Sequence, residues 1–152
     1  MRDPIFEIIP GRLWQSGSVA DAEGEARVRE LGIDYVVNLN GEPPLFQGYE
    51  YRPGWPPFTE VRWEIEDGPL PDLRDLDDVV SRVCTAVSAG QRVLVHCQAG
   101  LNRSGLVTAM AVHRLTGRGG PALVGFIRRK RPGSLSNRRF AKFVEGLPQK
   151  NT

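Results

Sequence analysis

Apolar and polar residues repeat with two different periods along this chain, and the points where the period changes divide it into strands and helices. Phe6 to Ile9 and Arg12 to Gln15 read as two short strands around the turn pair Pro10-Gly11, which predicts a hairpin-like edge. From Val19 to Leu31 the small and apolar residues Ala22, Ala26 and Leu31 stand among Glu and Arg, the pattern of an exposed helix that Gly32 ends. Ile33 to Leu39 resumes as a strand, and its run Tyr35-Val36-Val37 predicts burial on both faces. In Val61 to Ile65, the residues Val61, Trp63 and Ile65 alternate with Arg62 and Glu64, a strand that delivers Glu66-Asp67-Gly68 at its end.

The period then lengthens. Leu73, Leu76, Val79, Val80, Val83 and Val87 recur at helical spacing and predict a helix from Asp72 to Ala89, with acidic residues in its first turns and Gly90 as its stop. Arg92 to His96, dominated by Val93-Leu94-Val95, is a short buried strand, followed by a glycine-containing turn and an apolar helix from Arg103 to Leu115. Two further helices are expected at Pro121 to Lys130 and Asn137 to Leu147, separated by Pro132-Gly133. Strands alternating with helices predict an α/β fold, a three-layer sandwich with a central, largely parallel sheet flanked by helices. Between positions 40 and 58 lie five prolines and three glycines, which predicts the longest loop of the chain. Its aromatics Phe46, Tyr49, Tyr51, Trp55 and Phe58 could wall a cleft, but pinning the loop to the core is the simpler role.

Composition narrows the picture. With 152 residues, 40% of them hydrophobic and 25% charged, the chain suits one core and one domain, residues 1–152. The formal charge of +2 is small, yet Arg128-Arg129-Lys130-Arg131 and Arg138-Arg139 concentrate positive charge toward the C-terminus and favour an anionic partner. Solvated helix faces explain such runs most simply, and few aromatics are interleaved, so a nucleic-acid partner is not favoured. Met1-Arg2-Asp3-Pro4 opens no apolar leader and no stretch is long enough to span a bilayer, so a soluble cytoplasmic monomer without membrane contact is expected. The two cysteines, Cys84 and Cys97, form no CxxC pair and no cluster with histidines, which predicts neither a disulfide framework nor a metal site, and no cofactor is expected. Cys84 falls within the predicted helix and is expected to pack there; a redox partnership with Cys97 is the less favoured alternative.

Candidate chemistry centres on Val95-His96-Cys97-Gln98-Ala99-Gly100-Leu101-Asn102-Arg103-Ser104-Gly105, where a buried strand turns into a helix. Amides in such a turn lack intrahelical partners and form a concave anion site reinforced by the helix dipole. Residues Gln98, Ala99, Gly100, Leu101, Asn102 and Arg103 are therefore the expected phosphate-binding loop. Gly100 lets the backbone curl, and Arg103 can clamp two phosphate oxygens with its planar fork. Cys97, at the floor of this cradle, is the candidate nucleophile, held there as a thiolate. Ser104 is placed to donate its hydroxyl toward the sulfur and help it leave. His96 is assigned an orienting role at most.

The set His96, Cys97, Gly100, Arg103 and Ser104 resembles the His-Cys-x-x-Gly-x-x-Arg-Ser signature of the Cys-dependent protein tyrosine phosphatases, and the short chain resembles their dual-specificity branch. Arg12-Leu13-Trp14-Gln15-Ser16-Gly17, Val36-Val37-Asn38-Leu39 and Arg131-Pro132 through Phe140 are also similar to segments of that family, so nearly the whole chain is covered. The resemblance implies a metal-independent phosphatase that hydrolyses phosphotyrosine, phosphoserine and phosphothreonine in proteins or peptides through a phospho-cysteine intermediate. It further implies a catalytic Asp on a loop some thirty residues before the nucleophile, and Asp67 matches that position. Asp72 is the alternative acid, but its place before Leu73 suits a helix N-cap better. Glu66 is expected to be only a neighbour.

Rival chemistries remain open. A sulfurtransferase would also place a cysteine in an anion-binding loop, but would leave Asp67 and Ser104 without a task. A non-catalytic phospho-binding module would be expected to lack Cys97, Arg103 or Asp67. Removal of 5′ phosphates from RNA is conceivable from the Asn102-Arg103-Ser104 run and the basic C-terminal residues. A phosphoinositide substrate is disfavoured because the loop carries no lysine.

Overall fold

The computed structural model describes residues 4–46 and 58–150. The chain runs β1 (Phe6–Ile9), β2 (Leu13–Ser16), α1 (Ala22–Glu30), β3 (Tyr35–Asn38), β4 (Thr59–Arg62), α2 (Leu73–Ser88), β5 (Val93–His96), α3 (Arg103–Thr116), α4 (Gly120–Lys130) and α5 (Arg138–Glu145). The strands form one sheet in the order β1-β2-β5-β3-β4, antiparallel only between β1 and β2. The expected α/β sandwich with a largely parallel sheet is therefore present. β5 occupies the centre, every residue of it buried, which explains why its Val-Leu-Val run shows no polar alternation.

Period-2 alternation separates the two faces. Leu13, Val37, Val93 and Val95 point into one cluster with the buried stripes of α2, α3, α4 and α5. Trp14, Val36 and Leu94 point the other way and meet Val28 of α1 together with Val19, Ile33 and Leu45. Phe46 and Phe58 pack on this second cluster, their rings edge to face at 5.0 Å, so at both described ends of the long loop aromatics pin the chain to the core. Tyr49, Tyr51 and Trp55 lie outside the described residues.

Several boundaries differ from the sequence reading for identifiable reasons. α1 begins at Ala22 because the Asp21 carboxylate accepts the Gly24 N–H at 2.7 Å and caps it. Asp72 caps α2, one of its carboxylate oxygens accepting the N–H groups of Arg74 and Asp75. The apolar stripe of α2 starts at Leu76, and Leu73, in the first turn, is 53% exposed. β4 ends at Arg62, although the Trp63 and Ile65 N–H groups still donate to the carbonyls of Asn38 and Leu39 and keep that segment beside β3. Cys84 is half-buried, its sulfur 3.8 Å from the Ala111 carbonyl of α3, and burial pushes its thiol up. Among the described residues no helix is long and apolar enough to cross a membrane.

Candidate active site

Parallel strands β2, β5 and β3 all end on one side of the sheet, and the loop after β5 emerges between its two neighbours, where open α/β sheets bind ligands. Cys97, 2% exposed, opens this loop. Its sulfur accepts the Gly100 N–H at 3.3 Å and lies 3.3 Å from Ser104 Oγ, itself fully buried on the first turn of α3. With the sulfur ionised, the hydroxyl is the donor in that pair.

What shapes the loop is the fate of its carbonyls. The Gln98 carbonyl accepts the Ser18 N–H at 3.0 Å. The Ala99 carbonyl accepts from the Arg131 guanidinium at 3.3 Å. The Gly100 carbonyl accepts from Arg131 at 3.3 Å and from Gln15 Nε2 at 3.0 Å. The Leu101 and Asn102 carbonyls accept the N–H groups of Leu135 and Leu106. Five consecutive carbonyls are tied to the protein body, and among the described residues the amides of Gln98, Ala99, Leu101, Asn102 and Arg103 donate to no protein acceptor. Adjacent unpaired amides at the start of a helix are an anion-binding concavity.

Two glycines make the curl sterically permissible. Gly100 has φ +74°, and a Cβ there would lie 2.4 Å from the Gly17 nitrogen. A Cβ on Gly17 would lie 2.7 Å from the Gln98 carbonyl oxygen. Backbone meets backbone at both points, so neither can yield by turning a side chain.

Arg103 is half-buried, and its Nη1 donates to the Ile65 carbonyl at 3.1 Å, which fixes the guanidinium while leaving further donors for an anion. Ile65 leads directly into Asp67. One Asp67 oxygen accepts from Asn102 Nδ2 at 3.0 Å and the other from Asn137 Nδ2 at 2.9 Å. Asn137 also donates to the Gly68 carbonyl and receives the Arg139 and Phe140 N–H groups on its Oδ1, so a single residue caps α5 and holds the Asp67 segment. The structure thus gathers Cys97, Arg103, Ser104 and Asp67 around one loop, while Glu66 is exposed without a bond to it.

The catalytic domain of the dual specificity phosphatases matches residues 15–145. The chain belongs to this family. It is 36% identical to dual specificity protein phosphatase 12 of Homo sapiens over 107 residues, covering 69% of this chain and 30% of that protein. With dual specificity protein phosphatase 15 of Rattus norvegicus it shares 26% identity over 147 residues, 95% of this chain and 58% of the relative. The crystal structure of human DUSP28 superposes with a TM-score of 0.72 at 25% identity and 95% coverage of both chains. The chain spans only 27% to 32% of the length of the phosphatase 12 relatives it matches.

In this dual specificity phosphatase domain, the residues that sequence reasoning missed are those that build the loop from afar. Gln15 is fully buried on a central strand, a placement a polar side chain tolerates only with partners, here the Gly100 carbonyl and Ser134 Oγ. Arg131 was visible as part of a basic run and at the start of a family-like segment, without a sign that it reaches the loop, yet besides the loop carbonyls it stacks over Phe6 at 4.5 Å. Asn137 stood only as the first residue of an expected helix within that segment.

His96 is fully buried beside Cys97, and burial pushes its imidazole down to about 4, against the opposing effects of the Glu42 carboxylate, 3.7 Å away, and the Cys97 backbone. An unfolded histidine titrates near 6.5. Between those values the unfolded chain binds a proton that the folded chain refuses, so this contribution is complete above pH 6.5 and lost as pH falls to 4. The loss expected is roughly 3 kcal/mol. Urea unfolding of the wild type at about pH 7 and about pH 4.5 should show it, and His96→Gln should lose measurably less.

Proposed function

We propose that this domain hydrolyses phosphotyrosine, phosphoserine and phosphothreonine monoesters of proteins through a phospho-cysteine intermediate, without a metal. The observation that carries the reading is the Cys97 sulfur lying within hydrogen-bond reach of an amide and a hydroxyl, inside a loop whose carbonyls are all tied elsewhere. The cradle amides and Arg103 bind the phosphoryl oxygens, and the thiolate attacks phosphorus as the ester oxygen departs. Asp67 supplies the proton that oxygen needs. In the second step Asp67 takes a proton from water, which attacks the phospho-cysteine, and the Ser104 hydroxyl stabilises the departing thiolate. His96, neutral at pH 7, adds no charge and serves at most to orient its neighbour.

The family match supports phosphorylated proteins as substrates. A cradle of Gln98, Ala99, Leu101 and Asn102, with no lysine, supports them over phosphoinositides. Purified protein in the presence of a chelator should hydrolyse para-nitrophenyl phosphate and both tyrosine and serine/threonine phosphopeptides. Thiosulfate turnover without phosphatase activity would refute the proposal.

Asp67→Asn should reduce turnover of phosphoserine peptides by about 10²-fold or more, because an alkoxide leaves badly without a proton. The loss should be smaller for para-nitrophenyl phosphate, whose phenoxide leaves more easily. Asn137→Ala should reproduce a weaker version of the same substrate-dependent pattern, since it frees one Asp67 oxygen and the Gly68 carbonyl together.

A further inference from the structure

Charge is divided unevenly along the chain. Residues 118–150 contain nine basic residues and one acidic residue, Glu145, whereas residues 1–117 contain eleven basic and seventeen acidic. This basic segment forms α4, α5 and the stretch joining them, and between these lies a cavity of about 630 Å³ lined by Arg128, Leu135, Ser136, Arg138, Ala141, Lys142 and Glu145. Arg128 is fixed at its edge by bonds to the Ser134 and Leu135 carbonyls at 3.0 and 2.8 Å. Arg138 and Lys142 are exposed, four residues apart and hence on one face of α5, and neither side chain forms an ion pair or hydrogen bond with another described residue.

The cavity adjoins the active site. Ser136 Oγ donates to Asn102 Oδ1 at 3.2 Å, and Asn102 in turn holds Asp67 and precedes Arg103. The Leu135 N–H donates to the Leu101 carbonyl at 3.1 Å. A chain whose phosphorylated residue occupies the Cys97 cradle therefore has this basic hollow beside it.

We infer that the cavity between α4 and α5 docks an acidic segment of the phosphoprotein substrate, with Arg138 and Lys142 as its carboxylate contacts and Arg128 fixing the charge at its rim. The inference rests on the phosphatase reading and adds a sequence preference to it. Charge complementarity identifies the occupant, since three cations against the single carboxylate of Glu145 leave the concavity net positive, which attracts anions and steers their approach. A peptide fits better than RNA because no aromatic residue lines the hollow, so bases would find nothing to stack on.

The experiment compares two phosphotyrosine peptides of equal length, one flanked on both sides by glutamates and the other by glutamines. The wild type should favour the glutamate peptide in kcat/KM by roughly fivefold to tenfold, chiefly through KM, as two partly exposed charge pairs allow. Raising the salt to about 0.5 M should shrink that preference. Arg138→Glu/Lys142→Glu should abolish it while turnover of para-nitrophenyl phosphate stays within about twofold, and Arg138→Gln/Lys142→Gln serves if charge reversal prevents folding. Equal turnover of the two peptides by the wild type, or a preference that survives the substitutions, would overturn the inference. So would a 5′-phosphorylated oligouridine that outcompetes the glutamate peptide. Should the wild type fail to hydrolyse any phosphoester, the phosphatase reading falls, and fluorescence anisotropy of a labelled, phosphate-free glutamate peptide then decides the docking question alone. Tighter binding to the wild type than to the doubly substituted protein upholds the docking surface, and equal binding removes it.

Discussion

Cys97→Ser is expected to lower turnover of para-nitrophenyl phosphate by roughly 10⁴-fold or more, as loss of the nucleophile does where catalysis runs through a covalent intermediate. Serine occupies nearly the same volume, and the Gly100 N–H and Ser104 hydroxyl can bond an oxygen as they bond the sulfur, so thermal unfolding should change little. The anion site should also survive. The carbonyls of residues 98–102 are held by Ser18, Arg131, Gln15, Leu135 and Leu106, none of which depends on the sulfur. The variant should therefore still bind phosphotyrosine peptide, and the split between lost chemistry and retained binding would be read by steady-state kinetics beside calorimetry.

Arg103→Ala should cost about 10²-fold to 10³-fold in kcat/KM, the scale of removing a preorganised donor from developing negative charge. The test with more information is Arg103→Lys. Arg103 gives one N–H to the Ile65 carbonyl, and its rigid fork leaves others for the phosphoryl group at the same time. An ammonium on a flexible stem keeps the charge but cannot hold that geometry, so Lys should recover at most about tenfold of the loss. Recovery to wild-type activity would mean that charge alone matters at this position.

Much of this was legible in the sequence because it is local. The switch from period 2 to period 3.6 marked the central strands and the long helices, while β4 lies two residues earlier than its alternation suggested, and Asp72 was readable as a cap because its partners lie two and three residues away. Cys97, Gly100, Arg103 and Ser104 stood out because one strand-to-helix turn carries them all. The supports of that turn were not legible, because their contacts cross the fold. Gln15 reaches Gly100 across 85 positions and Ser134 across 119, and Asn137 reaches Asp67 across 70. Only the parallel pairing of β2 with β5, and the return of the α4–α5 connection over the loop, bring these residues together. The start of α1 was misplaced for a related reason. Val19 is buried as a core residue of the second cluster, and its burial imitates a helical position that the chain enters only after Asp21.

A phosphoryl group is expected to pass through the Cys97 sulfur. Rapid acid quenching of the Asp67→Asn variant during turnover, followed by mass spectrometry of the peptide spanning residues 93–103, measures it directly. The peptide should carry one added phosphoryl group on Cys97, formed as fast as nitrophenol is released in the first turnover. Steady hydrolysis with that peptide unmodified, or with the phosphoryl group on another residue, would contradict the account.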